Sequence, residues 1–195
     1  MEVFENVLME RIKITQPGAM KKFIDALNEN KIIAYPTDTI YGLGTAIDND
    51  CGIDKINVLK NRIQPMSIAI SSYNIIKNRI MINSTIEKKI IELIKDGSTC
   101  IADYYPESFN KKITKDGKIG FRIPNHKFLK DVLDNYNKPI TTTSINKTGN
   151  SPLTSPEDIE EKFGNQIDLL IDDGVLNNSA SKIFIINNDE IKQIR

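Results

Sequence analysis

The sequence predicts an α/β fold around one mixed sheet. Short apolar runs of strand character alternate along the chain with segments whose apolar residues recur at helical spacing. The two segments richest in hydroxyls leave the ends of strand-like runs, where α/β proteins gather their ligand-binding groups. The size agrees: 195 residues with 39% hydrophobic content suit one compact domain, spanning 1–195.

Taken in order, residues 18–30 read as a helix with Met20, Phe23 and Leu27 on one face. KIIAYP (31–36) reads as a buried strand that Pro36 closes. Residues 51–61 space Ile53, Ile56 and Leu59 for one helical face, and SIAIS (67–71) is a strand. The next helix carries Ile86, Ile90, Leu93 and Ile94 as its stripe. Ser84 with Glu87 three residues on makes a capping box, and Gly97 supplies the stop. Residues 98–105 and 118–123 read as strands, 126–134 as a helix and 139–144 as a strand. Ser155-Pro156 opens a further helix with proline at its first position, and Ile159 and Phe163 share its inner side. LLI (169–171) and KIFII (182–186) are the last strands, while 106–117 is polar and without a clear period.

Composition narrows the function classes. With 26 basic and 26 acidic residues the formal charge is zero, which argues against a protein that coats nucleic acid through bulk charge and leaves a local basic cleft open. Cys51 and Cys100 are far apart, outside any CxxC spacing, and read as reduced core thiols. The N-terminus lacks a basic segment followed by an apolar run, and no apolar stretch approaches the roughly 20 residues that span a bilayer, so a cytoplasmic location and no membrane partner are expected. No GxxxxGK[ST], GxGxxG or GxSxG motif is present, and the single histidine, His126, excludes a two-histidine metal site. His126 reads as a packed or hydrogen-bonded residue rather than a catalytic one.

Chemistry is concentrated in Pro36–Gly44 (PTDTIYGLG) and Thr141–Gly149 (TTTSINKTG). Gly42 and Gly44 permit close backbone approach to a ligand. Spacing alone favours ordinary Asx and Ser/Thr turns over a ligand site. Lys60-Asn61-Arg62 places two cations at a helix end, where they clamp a phosphate or carboxylate, or serve as a solvated terminus that complements the helix dipole. Asp38, flanked by two threonines, reads as a turn residue bonded to backbone.

In order and spacing, PTDTIYGLG, KNR and TSINKTG resemble the PTxTxYGLG, KxR and SxN signatures of the Sua5/YrdC/YciO family. GFRIPNH (120–126) looks like the family's GxRxPxH strand end, Thr154 follows the SxN segment as a threonine commonly does, Ser181 falls near a Ser-Thr-Val strand, and Ile194-Arg195 looks like an Ile-Leu-Arg ending. The resemblance runs from about residue 14 to 195. It implies a YrdC-like twisted mixed sheet with flanking helices and a basic concave cleft, in the short, single-domain form. There are departures: the segment after Arg62 is about two residues shorter, Tyr105–Phe109 replaces a Pro-Gly-Pro-x-Thr segment, and Lys182 stands where many members have threonine.

The resemblance also implies an activity, the synthesis of threonylcarbamoyl-AMP and pyrophosphate from L-threonine, bicarbonate or CO2 and ATP, for N6-threonylcarbamoyladenosine in tRNA. ATP would come with Mg2+, no tightly bound protein-ligated metal is expected, and a separate threonylcarbamoyl-transferase complex would consume the product. By position, Lys60, Arg62, Ser144 and Asn146 would be catalytic. Thr39, Arg122, Ser144 and Ser181 would bind threonine. Lys60, Arg62, Asn146, Thr154 and Arg195 would bind ATP, with Thr37 and Tyr41 shaping the pocket. The alternative from the same fold is a non-catalytic module that binds double-stranded RNA or tRNA.

Overall fold

The computed structural model describes residues 9–61 and 65–195. The first element is β1 (Glu10–Lys13), followed by α1 (Ala19–Asn28), β2 (Ile33–Tyr35), β3 (Gly42–Gly44), α2 (Asp50–Leu59) and β4 (Ser67–Ala69). Then come α3 (Ser84–Lys95), β5 (Thr99–Asp103), β6 (Lys118–Arg122), α4 (Lys127–Tyr136), β7 (Ile140–Ser144), α5 (Pro156–Phe163), β8 (Leu169–Asp172), β9 (Ile183–Asn187) and β10 (Glu190–Gln193). Among the described residues the strands form one mixed ten-stranded sheet, in the order β1-β8-β2-β3-β7-β4-β6-β5-β9-β10. None of the helices is long and apolar enough to cross a membrane.

Helices pack on both faces of the sheet, α2, α3 and α5 on one and α1 and α4 over the β1, β8 and β2 end of the other, and the strands there alternate accordingly. In β8, Leu169 and Ile171 join the cluster under α1 and α4, with Phe23, Leu27, Leu129 and Leu133. Leu170 points the other way, into the cluster built with α2, α3 and α5 through Ile53, Ile56, Ile90, Ile94, Ile159 and Phe163. In β2 likewise, Ile33 and Tyr35 serve the first cluster and Ala34 the second.

Several expectations need correction. Three strands were not expected. β1 (ERIK) and β10 (EIKQ) lie at the sheet's two ends and are charged, as edge strands often are. β3 is Gly-Leu-Gly, whose composition reads as a loop. It is nevertheless fully buried between β2 and β7, and a Cβ at Gly44 would sit 1.9 Å from the Thr141 carbonyl oxygen, so the pairing requires glycine there. Asn83, not Ser84, caps α3, its side chain accepting from Thr85 N at 3.1 Å. Met20 is exposed; Ala19, Phe23, Ala26 and Leu27 form the buried face of α1. Cys51 is exposed in the first turn of α2, while Cys100 is buried in β5, where loss of solvation pushes its thiol up to about 12. Residues 106–117 carry a 3-10 turn at Lys111–Ile113 and bury Phe109 and Ile113. Phe109 meets Tyr104 edge-on at 5.7 Å under the Arg79 guanidinium, which anchors the segment without any helical or strand period.

Candidate active site

The antiparallel pairings of β7 with β3 and β4 bring the two hydroxyl-rich segments together. The loop 36–41 leaves β2 and returns as β3, and Gly42 lies opposite Ser144 in register. Thr141 is spent on structure: its hydroxyl donates to Thr45 O at 3.1 Å and accepts from Thr45 N at 2.8 Å, and its carbonyl accepts from the Tyr35 hydroxyl. From Thr142 onward β7 lines a cavity of about 250 Å³ that also reaches the loop 36–41, the end of β6, and the segments leading into β4, β5 and β9.

Thr37, Thr39, Tyr41, Arg122, Ser144, Ser181 and Arg195 all line this cavity. The Tyr41 ring is buried. Its hydroxyl donates to Gly174 O at 2.8 Å and accepts from Asp173 N at 2.9 Å, and burial pushes its pKa up to about 12, so it is a neutral strut between loop 36–41 and the exit of β8. His126 reaches the same exit through Nε2 to Asp173 Oδ2 at 2.9 Å.

Arg122 ends β6 and is 6% exposed. Its Nη2 donates to both oxygens of Asp38, at 2.7 and 2.8 Å. Asp38 therefore does not bond backbone through its carboxylate as expected: it neutralises a buried guanidinium contributed from across the sheet. The Asp38 carbonyl is likewise engaged at long range, accepting from Asn178 Nδ2 at 3.0 Å. Arg122 Nε is buried without a hydrogen-bond partner among the described residues. The second guanidinium, Arg195, donates to Ser181 O at 3.0 and 3.1 Å. Lost solvation and the nearby positive charge of Arg122 hold its pKa below the usual arginine value. Two guanidiniums therefore line one cavity, one paired with Asp38 and the other bonded to the Ser181 carbonyl, an arrangement suited to an anion. Among the described residues no Asp or Glu side chain is in the lining.

Lys60 and Asn146 sit behind Ser144 instead of in the cavity lining. Lys60 is 1% exposed, and its ammonium donates to Ser144 O, to Asn146 O at 3.1 Å and to Asn146 Oδ1 at 2.9 Å. Ser144 Oγ donates to the same Oδ1 at 2.6 Å, and Asn146 Nδ2 donates to Lys147 O and Asn150 O. These bonds fix the backbone that leaves β7. Asn146 also borders a second hollow of about 330 Å³, with Lys147, Leu153 and Phe163. Thr154 lines neither; its carbonyl accepts from Leu176 N. Arg62 lies outside the described residues. Cavity-lining residues that sequence reasoning missed include Ser67, Thr99 and Pro152. The Thr99 and Ser181 hydroxyls are 3.1 Å apart, a pairing of β5 with the approach to β9 that no local motif announces.

Comparison with known proteins agrees with this architecture. The Sua5/YciO/YrdC family, described as "Telomere recombination", matches residues 25–195. A threonylcarbamoyl-AMP synthase of Riesia pediculicola is 31% identical over 151 residues, covering 73% of this chain and 79% of that protein. A putative threonylcarbamoyl-AMP synthase of Methanocaldococcus jannaschii is 30% identical over 182 residues, covering 90% and 86%. Among solved structures, P. abyssi Sua5 complexed with L-threonine is 20% identical and superposes with a TM-score of 0.84, over 96% of this chain and 57% of the Sua5 chain. At that identity the likeness speaks for the fold, and the chain spans little more than half of Sua5. With a match across most of its length, the chain belongs to the Sua5/YciO/YrdC family.

Proposed function

We propose that this protein is a threonylcarbamoyl-AMP synthase, a nucleotidyltransferase that joins L-threonine, bicarbonate or CO2 and the adenylyl group of ATP. The observation that carries the reading is the cavity itself. It gathers Thr39 and two guanidinium-bearing residues, Arg122 and Arg195, in one lining. That is the complement of a small amino acid bearing a hydroxyl and a carboxylate. The names of the relatives support the same reading and weigh against the RNA-binding module of the same fold.

The reaction first joins the threonine amine to CO2 as a carbamate. A carbamate oxygen then attacks the α-phosphorus in line, and pyrophosphate leaves with the electron pair. Such chemistry relies on positioning and charge neutralisation. Arg122 and Arg195, both in the cavity lining, would supply the positive charge and N–H donors that hold the substrate carboxylate. Thr39 receives the substrate hydroxyl. Lys60, bonded to the Ser144 and Asn146 carbonyls, sets the β7 exit against which the triphosphate would lie, and contributes positive charge there. Mg2+ would arrive on the phosphates, as part of the substrate. The product would pass to a separate transferase acting on tRNA, in the cytoplasm.

The test is pyrophosphate release from ATP and Mg2+, with threonine and bicarbonate omitted in turn and the threonylcarbamoyl-AMP mass sought. Release that requires both, and that Arg122→Met suppresses, is the expected result. Folded protein with no threonine-dependent turnover would overturn the reading.

A further inference from the structure

Thr37 and Thr39 stand two residues apart, and their hydroxyl oxygens are 2.9 Å from each other. Which one donates is settled by a third atom. Thr37 Oγ1 lies 2.6 Å from the carbonyl oxygen of Ile40, which has lone pairs only, so the single Thr37 proton is directed there. Thr37 Oγ1 also accepts from Thr39 N at 3.1 Å. What remains is one lone pair of Thr37, and the 2.9 Å contact is a hydrogen bond when the Thr39 hydroxyl donates to it. Nor does Thr37 have room to exchange methyl for hydroxyl. It is 4% exposed, and its methyl packs over Gly42, where an added Cβ would meet it at 3.3 Å. Thr39 lines the cavity, and with its proton committed its oxygen offers a ligand lone pairs alone.

We propose that Thr37 is a positioning residue that fixes the polarity of Thr39, so that the cavity accepts a hydrogen bond from its substrate and selects a side chain carrying an O–H donor. The inference rests on the threonine-binding reading above. It explains how a pocket of this size separates threonine from molecules of the same shape. A methyl in place of the hydroxyl leaves Thr39 unpaired, and an acceptor in its place meets lone pair with lone pair. A site built around a hydrogen bond rejects the substrate that lacks it far more sharply than an apolar pocket does.

The experiment compares L-threonine with its 3-fluoro analogue, in which an acceptor of similar size replaces the hydroxyl. Pyrophosphate release gives kcat and KM for wild type, Thr37→Ser and Thr37→Val. Wild type should favour threonine, and Thr37→Ser, which keeps the hydroxyl, should retain that preference. In Thr37→Val the Thr39 proton is released. KM for threonine should rise by about tenfold, the worth of roughly one hydrogen bond, while the analogue gains relative to threonine because Thr39 can now donate to fluorine. KM for ATP should not move. A merely structural lesion would lower both amino acids together. Thr39→Val supplies the second arm, making threonine and analogue nearly equivalent, and Thr37→Ala, which also removes the acceptor, replaces Thr37→Val if that variant does not fold. An unchanged preference in folded Thr37→Val or Thr39→Val, or a Thr37→Ser enzyme that has lost it, would overturn the proposal. A wild-type protein without threonine-dependent turnover would overturn the synthase reading first, and this proposal with it.

Discussion

Arg122 and Asp38 are the most consequential pair in the site, because neither tolerates being left alone. Their side chains are 7% and 17% exposed, and Nη2 lies 2.7 Å from Oδ1. Two unit charges about 4 Å apart attract by about 4 kcal/mol at an effective dielectric near 20. Much of that is returned as lost solvation, so the net contribution of the intact pair is small, while removal of one member strands the other. Arg122→Met, which leaves a carboxylate in a largely buried site, should cost about 3 kcal/mol. Asp38→Asn keeps the shape and one acceptor and should cost about 2 kcal/mol. The double change should cost less than the sum, with a coupling of about 2 kcal/mol. Urea denaturation followed by far-ultraviolet circular dichroism at neutral pH gives all four stabilities. Repeating it in 1 M salt separates this pair from surface pairs such as Lys21–Asp25, whose small contribution salt screens. A coupling below about 0.5 kcal/mol, or one that vanishes in salt, would refute the account of Asp38 as the counter-charge of Arg122.

Three further outcomes follow from the geometry. Gly44→Ala places a methyl 1.9 Å from a backbone oxygen of the neighbouring strand, so β3 must part from β7; a loss of about 2 kcal/mol or more is expected in the same urea assay, and a neutral result would mean the strands adjust without cost. Ser155→Ala removes the acceptor for Asp158 N at the start of α5 and should cost about 1 kcal/mol, with Ser155→Asp restoring most of it. Stability should also fall in alkali. The Tyr41 phenol and the Cys100 thiol are both pushed up to about 12, so the folded chain holds these protons more tightly than the unfolded chain does. Their contribution is whole below the unfolded values, about 8.5 for a thiol and 10 for a phenol, and is lost as pH climbs through the folded ones. A urea midpoint that stays level from pH 8 to 11 would contradict burial as the cause.

Where an element is specified by its own residues, the sequence was readable. β2, β5 and β6 have apolar runs, and α5 has its Ser-Pro start, so they were found within a residue or two. Elements specified by their neighbours were not. β3 has the composition of a loop and is a strand because β2 and β7 flank it and only glycine lets Thr141 approach. β1 and β10 are charged, as edge strands often are, and lack the apolar run that marks a strand. At the start of α3, Asn83 and Ser84 are both good caps, and one residue of register decides between them.

The same distinction runs through the site. Residue types and order pointed to PTDTIYGLG and TTTSINKTG, but those letters carry neither partners nor proton directions. Thr37, Asp38 and Thr39 are adjacent, polar and of similar size, and a turn motif describes all three. In the fold they part company. Thr37 turns inward and saturates its hydroxyl on its own loop, and Asp38 finds Arg122, 84 residues away. Thr39 alone is left facing the cavity with acceptor capacity. The assignment of roles depends on the long-range pairing of β7 with β3 and of β4 with β6, which brings the end of β6 within reach of loop 36–41. A segment that reads as one turn thus supplies a structural hydroxyl, a counter-charge and a binding group, and the sheet order determines which residue becomes which.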